Sequence, residues 1–297
     1  MKKSVIKVLT FIFLTIGVVF ICGSIIPSST PKEDRINGYQ LEENKNLDII
    51  ALGNSDLYSG FIPSLLYKEY KYRAYNTGES RQHIQTTAKR LEKAIEFKPK
   101  MIMIEGDVLC SKGIVKEKKK NIFTKIYDNH DFWRAKKATE IIRLKGYVFS
   151  SRISPVRNLN YMEKNKKLGL INKNNLNTLL EMKRKCDENN IKFLLVMFPS
   201  INTWSNIRYE QLNSFCHDNN IDYLDFNIIE DVNIDLSKDS RDAGNHLNVY
   251  GASKITRYLG NYLSKNQILI PSSKEDDNFE NSYNLFKNKL DKSKIKL

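Results

Sequence analysis

A serine hydroxyl attacks a carbonyl only when a base removes its proton, so serines and histidines that a fold can bring together come first. Four segments of this chain hold such residues. LGNSDLYSG, residues 52–60, follows a short apolar run, and Gly53 gives it the tight turn after which Ser55 stands where a helix can begin. NTGESRQ, residues 76–82, contains Gly78, whose backbone N–H can face a developing oxyanion with no side chain in the way. IEGDVL, residues 104–109, carries Glu105 and Asp107, which either work as paired acid and base or stand in solvent. DAGNHLNVYGASKIT, residues 242–256, puts His246 at the mouth of a helical stretch. Asp242 lies just upstream and can hold the imidazole in the tautomer that accepts a serine proton. Singly, each segment has an ordinary explanation: a serine after a strand caps a helix, Gly78 makes a turn with Ser80 as cap, and a lone loop histidine is structural. His83, His130 and His217 lack comparable surroundings.

The elements that must position these residues alternate regularly. LDIIALG (47–53), RAYN (73–76), MIMIE (101–105), IKFLLVMF (191–198) and YLDF (223–226) read as strands. Residues 61–70, 82–97, 176–189, 206–219 and 250–263 read as helices; in the second of these Ile84, Ala88, Leu91 and Ile95 share one face. Apolar runs without period-two alternation imply strands covered on both faces. The expected fold is therefore α/β, an open parallel sheet sandwiched between two helical layers in the flavodoxin-like manner. Ligands of such sheets bind beyond the carboxyl ends of the strands, and all four segments above fall at that edge. Residues 111–165 break the rhythm and, with Phe123, Ile126, Tyr127, Trp133 and Ile141, read as a helical insertion. Residues 266–297 read as a polar tail, weakly helical at best from Ser272.

The N-terminus has a basic flank, residues 1–7 with Lys2, Lys3 and Lys7, followed by the apolar run VLTFIFLTIGVVFICGSII at 8–26. Nineteen residues at helical rise nearly cross a hydrocarbon layer about 30 Å thick, so a transmembrane anchor is expected. A cleaved signal peptide is the competing reading, but Ile25, Ile26 and Pro27 after Gly23 and Ser24 make a poor cleavage site. Ile21 stands where a lipidated Cys22 would need a small residue. The leading lysines keep the N-terminus inside, which places residues 27–45, a polar stalk, and 46–265, the main domain, outside the cytoplasm.

Composition narrows the partners. The chain of 297 residues has a formal net charge of +14, a field that favours anionic partners. The basic residues are scattered, the one dense run (Lys116 to Lys120) is short, and no aromatic residues are interleaved for base stacking, so nucleic acid is not expected. Cys22, Cys110, Cys186 and Cys216 form no CxxC or Cys/His cluster, so neither a metal nor a disulfide framework is expected.

Taken together, the segments resemble the SGNH/GDSL hydrolase superfamily. LGNSD is similar to its first block, NTG to its second and DAGNHLN to its last, and the likeness runs over about residues 46–265. The final HLN-x-x-GA-x-K-x-T stretch is the most specific element. Within the superfamily the chain looks like the membrane-anchored branch that includes teichoic-acid D-alanylation (DltD-like) proteins and partners of membrane-bound O-acyltransferases. The resemblance implies Ser55 as nucleophile, His246 as base, Asp242 as its orienting acid and the N–H groups of Ser55 and Gly78 as oxyanion hole, with no cofactor.

Two departures stand out. The third block normally supplies an Asn to the oxyanion hole, and the chain has EGDVL there. The orienting Asp normally lies three residues before the His; that position is Ala243, with Asp242 one further back and Asp239 as fallback, and Gly244 can supply a compensating bulge. The expected activity is that of an extracytoplasmic serine ester hydrolase or O-acyltransferase on an acylated cell-envelope polysaccharide, in some cases beside a membrane O-acyltransferase. The alternative is a catalytically weak binding or scaffold module of such a system.

Overall fold

The computed structural model describes residues 2–25, 35–42, 47–110, 140–156, 159–165, 167–272 and 274–297. Five strands make one sheet: β1 (Ile49–Leu52), β2 (Ala74–Asn76), β3 (Met101–Glu105), β4 (Lys192–Met197) and β5 (Asp222–Asp225). Their spatial order is β2-β1-β3-β4-β5, and every pairing is parallel. The order reverses at β1, so the switch point of the sheet lies between the carboxyl ends of β1 and β3.

Successive strand residues feed two separate cores. Ile50, Leu52, Ile102 and Ile104 face the helices α4 (Ile84–Ile95), α5 (Lys173–Glu188) and α6 (Asn206–Asp218). Ile49, Ala51, Met101 and Met103 face α3 (Pro63–Tyr70) and α7 (Val249–Lys265) together with Leu57 and Phe61 from the segment between β1 and α3. All four residues of β1 are at most 1% exposed, the covered-on-both-faces condition that selected its unbroken apolar run. The parallel α/β sandwich expected from the sequence is the fold observed.

Residues 55–70 form two helices where the sequence suggested one from residue 61. α2 (Ser55–Gly60) is separated from α3 by Phe61 and Ile62 because Pro63 lacks an N–H to continue a helix and opens the next one instead. The tail is also corrected. α8 (Asp277–Lys292) is a full helix, started by the Asp276 carboxylate on the N–H groups of Asn278 and Phe279, and it packs against α3. Phe279 and Phe286 are buried, each stabilising by roughly 1.5–3 kcal/mol, which the polar average of the segment conceals. Much of the expected insertion, with Phe123, Ile126, Tyr127 and Trp133, lies outside the described residues; Ile141 and Leu144 from its end are buried.

At the N-terminus α1 (Lys2–Ile25) is one continuous helix. Its Lys3–Ile21 window has mean hydropathy 2.5 and is not packed on the rest of the protein, so it is long and apolar enough to cross a membrane.

Candidate active site

The turn after β1 divides its labour between neighbours. Asn54 caps α2 by accepting from the Asp56 N–H at 2.8 Å. Ser55 is thereby left at the first helical position, half-buried, with its hydroxyl free of the capping task that a serine after a strand ordinarily takes. Its carbonyl receives the Ser59 hydroxyl at 2.7 Å, which ties the short helix to itself.

Opposite this turn lies the loop before α7. Ala243 (φ 60°) and Gly244 (φ 97°) are both left-handed, and a Cβ on Gly244 would meet Val156 and Ile201 at 2.7 and 2.9 Å. This pair curls the chain so that the Asp242 carboxylate accepts from the His246 backbone N–H at 2.7 Å and from the same residue's Nδ1. The four-residue spacing therefore does what a three-residue spacing does elsewhere. Partial burial raises the Asp242 pKa, but the His246 bonds outweigh it and the net shift is downward. Asp239, the fallback, is 1% exposed and committed to Asp235 N–H and Lys254 Nζ, each at 2.7 Å.

With Nδ1 engaged, Nε2 of His246 is the nitrogen left to act. It points to the first turn of α2, 3.9 Å from Asp56 Oδ1. The imidazole also lies nearly parallel to the Tyr58 ring, centroids 6.4 Å apart at 12°. The structure thus brings Asp242, His246 and the turn bearing Ser55 to one edge of the sheet, beside the switch point. Among the described residues no cluster of His, Cys, Asp and Glu could hold a metal ion.

The second block differs from expectation. The Gly78 N–H donates to Asn76 Oδ1 at 3.0 Å, so it is not a free oxyanion donor. Asn76 also donates to the carbonyls of Leu57 and Phe61, at 2.8 and 3.1 Å, and so fastens α2 to the end of β2. Gly78 is needed there for space: a Cβ would come 2.6 Å from the Asn54 carbonyl and 2.9 Å from the Tyr58 nitrogen. Ser80 does not cap the next helix; His83 does.

The third block is corrected too. Neither of its carboxyls is solvated. Glu105 is fully buried and accepts from the N–H groups of Asn54 and Asp107 at 3.1 and 2.6 Å. Asp107 accepts from Asn54 Nδ2 at 2.5 Å through one oxygen, while the other is sealed from water without a regular hydrogen bond. Burial, reinforced by mutual repulsion, pushes Asp56 and Glu105 well above the usual carboxylate range; burial also raises Asp107.

Sequence reasoning missed Asp56, Tyr58 and Arg35. Arg35 reaches in from the segment ahead of the domain, donates from Nε to the Gly78 carbonyl at 2.6 Å and lies over Tyr58, 4.4 Å from the ring centroid. Asp56 and Tyr58 were legible in principle, one residue and three residues past Ser55 on the same short helix. Arg35 had no such signal.

No family model and no curated protein matches the chain. Among solved structures the chain is similar to a GDSL-like lipase from Bacteroides thetaiotaomicron (13% identity, 81% of this chain and 100% of that one, TM-score 0.44). It is similar to a lipase/acylhydrolase from Enterococcus faecalis (12% identity, 77% and 100%, TM-score 0.44). It is also similar to a psychrotrophic esterase from a Pseudoalteromonas (12% identity, 75% and 100%, TM-score 0.43).

Proposed function

We propose that the protein is a serine ester hydrolase or O-acyltransferase that works through an acyl-Ser55 intermediate. One observation carries this reading: His246 is held by Asp242 through Nδ1 and turns Nε2 to the helical turn that bears Ser55, whose capping task Asn54 has taken. Nε2 takes the Ser55 proton as Oγ attacks the acyl carbonyl, and Asp242 stabilises the imidazolium that results. The tetrahedral intermediate collapses by expelling the alcohol, to which the imidazolium gives its proton. Water or a sugar hydroxyl then attacks the acyl-serine and loses its proton to Nε2; the second tetrahedral intermediate expels Ser55 Oγ, which takes that proton back from the imidazolium as the acid or new ester leaves. The Ser55 N–H, at the first position of α2, is the backbone donor available to the oxyanion. Burial, with repulsion from Asp107 and Glu105, raises the Asp56 carboxyl well above the usual carboxylate range, which favours its neutral form beside Nε2.

The substrate we infer is an acylated cell-envelope polysaccharide, with the domain outside the cytoplasm on a membrane anchor. The apolar α1 and the formal charge of +14 support it. The engaged Gly78 N–H and the missing third-block Asn favour the second reading, a catalytically weak scaffold for a membrane O-acyltransferase. A fluorophosphonate probe separates the two. Covalent labelling that vanishes in Ser55→Ala is expected, whereas an unlabelled, folded wild-type chain overturns the enzyme reading. Loss of the gene is expected to change ester-linked acyl groups on purified wall or capsule polymer; unchanged acyl content with fast turnover of p-nitrophenyl esters leaves a generic esterase.

A further inference from the structure

Arg35 is nine-tenths buried, with 9% of its surface exposed, and among the described residues no carboxylate lies within ion-pair distance of it. A buried guanidinium without a counter-charge is costly; among the described residues the buried Lys145 has Glu42 at 2.8 Å, and the buried Arg208 donates from Nε and a terminal nitrogen to the carbonyls of Gly169 and Thr203. Arg35 has a carbonyl, that of Gly78, and the face of Tyr58. Burial pushes its pKa down, and the groups that oppose this are the phenols of Tyr58 and Tyr75. Nε is engaged by the carbonyl, which leaves the terminal nitrogens, the pair that makes a fork for two oxygens, with no partner among the described residues.

Its position is as informative as its charge. Tyr58 is one ring away from both Arg35 and His246. A second guanidinium, Arg241, lies 5.7 Å from the same ring centroid, and its nearest carboxylate oxygen, on Asp242, is 3.9 Å away and already engaged by His246. Two arginines therefore meet at the half-buried ring that flanks the base.

We propose that Arg35, with Arg241 in support, forms an anion subsite beside the Ser55–His246 centre, which selects acyl esters of saccharides that carry a carboxylate or phosphate close to the acylated hydroxyl. A planar fork suits both groups, and the ring of Tyr58 offers an apolar face to the sugar between anion and ester. The anion would neutralise a charge that has no carboxylate partner among the described residues, so its binding and correct placement of the ester are one event. The kinetic arm of the test rests on the acyl-ester reading given above; the binding arm does not.

The kinetic arm compares kcat/KM of the full chain on methyl 4-O-acetyl-glucuronide and on methyl 4-O-acetyl-glucoside, in wild type, Arg35→Gln and Arg35→Lys. The wild type is expected to favour the uronide by about tenfold or more, Arg35→Gln to bring the ratio near one, and Arg35→Lys to fall between. Equal turnover of both esters by the wild type overturns the subsite while leaving the hydrolase intact. An equal loss on both esters in Arg35→Gln gives Arg35 a purely structural role and also overturns it. The binding arm measures methyl glucuronide and methyl glucoside against full-length Ser55→Ala and Ser55→Ala/Arg241→Gln, which leaves Arg35 and its packing in place. Preferential, salt-sensitive uronide binding that weakens with Arg241→Gln supports the subsite even where no ester is turned over. No preference for the uronide, or preference only for short-chain acyl glycerol phosphates tried alongside, overturns it.

Discussion

His246 stands between two aspartates that sit in opposite electrical surroundings. On the Nδ1 side Asp242 is partly open to solvent, doubly bonded to the histidine and lowered in pKa. On the Nε2 side Asp56 is sealed, shares its pocket with Glu105 and Asp107, and is raised well above the usual range. The same functional group is thus an anion on one side of the ring and is biased towards the neutral acid on the other. An ionised partner orients a base and favours its charged state; a neutral one lets it give its proton up again. The contrast depends on hydration and on shared bonds, since the two side chains are chemically identical.

The contrast is broken most severely by removing what lies between the two acids. Ser55→Ala and His246→Ala are each expected to lower ester kcat by about ten-thousandfold, and the double variant to add little, as measured by steady-state hydrolysis. Activity of Ser55→Ala above a few per cent of wild type would remove the serine from the role proposed for it.

Next comes the ionised side. Asp242→Asn keeps the shape but loses the charge and inverts the preferred tautomer, so kcat is expected to fall by about a hundred- to ten-thousandfold. Asp239→Asn, which disturbs the Lys254 pair instead, is expected to lower Tm and to leave kcat nearly untouched. The reverse ranking would transfer the orienting role.

The smallest effect tests the sealed side. Unfolded carboxyls release their protons near pH 4, while burial keeps those of Asp56, Glu105 and Asp107 on to higher pH. The folded state then binds more protons than the unfolded one, so these groups lose stabilising effect as pH rises from about 4 through their folded pKa values. Asp242 acts in the opposite sense, its contribution being lost as pH falls through its folded pKa. Asp107→Asn is neutral at every pH, so the fall in its Tm between pH 5 and pH 8 is expected to be shallower than in wild type, by a few degrees in a calorimetric scan. An equal or steeper fall would show that Asp107 is ionised in the fold.

The sheet was legible because strands buried on both faces are written as unbroken apolar runs, as in IIAL and MIMIE. The loops carrying Ser55 and His246 were legible because they had to follow or precede those elements. The sealed pocket was not. Whether Glu105 and Asp107 meet solvent depends on Asn54 and on the neighbouring strand ends, which are contacts across tens of residues with no local pattern. Asn76 was equally opaque: its side chain takes the Gly78 N–H, a local bond, but does so while spanning the carbonyls of Leu57 in α2 and of Phe61 just after it. The tail misled because Phe279 and Phe286 are seven residues apart among charges, a spacing that puts both on one face only once a helix exists.

The left-handed pair Ala243 and Gly244 has a consequence for how the histidine behaves before any substrate arrives. By curling the loop it lets one carboxylate grip the backbone and the ring of the same residue, which closes a small chelate around the His246 side chain. Its rotamer and its tautomer are selected during folding, so little side-chain entropy is left to lose in the reaction. A single inserted or deleted residue between Asp242 and His246 would open the chelate while leaving both residues in the chain. What this loop supplies, then, is a ring closure, and the count of residues between acid and base follows from it.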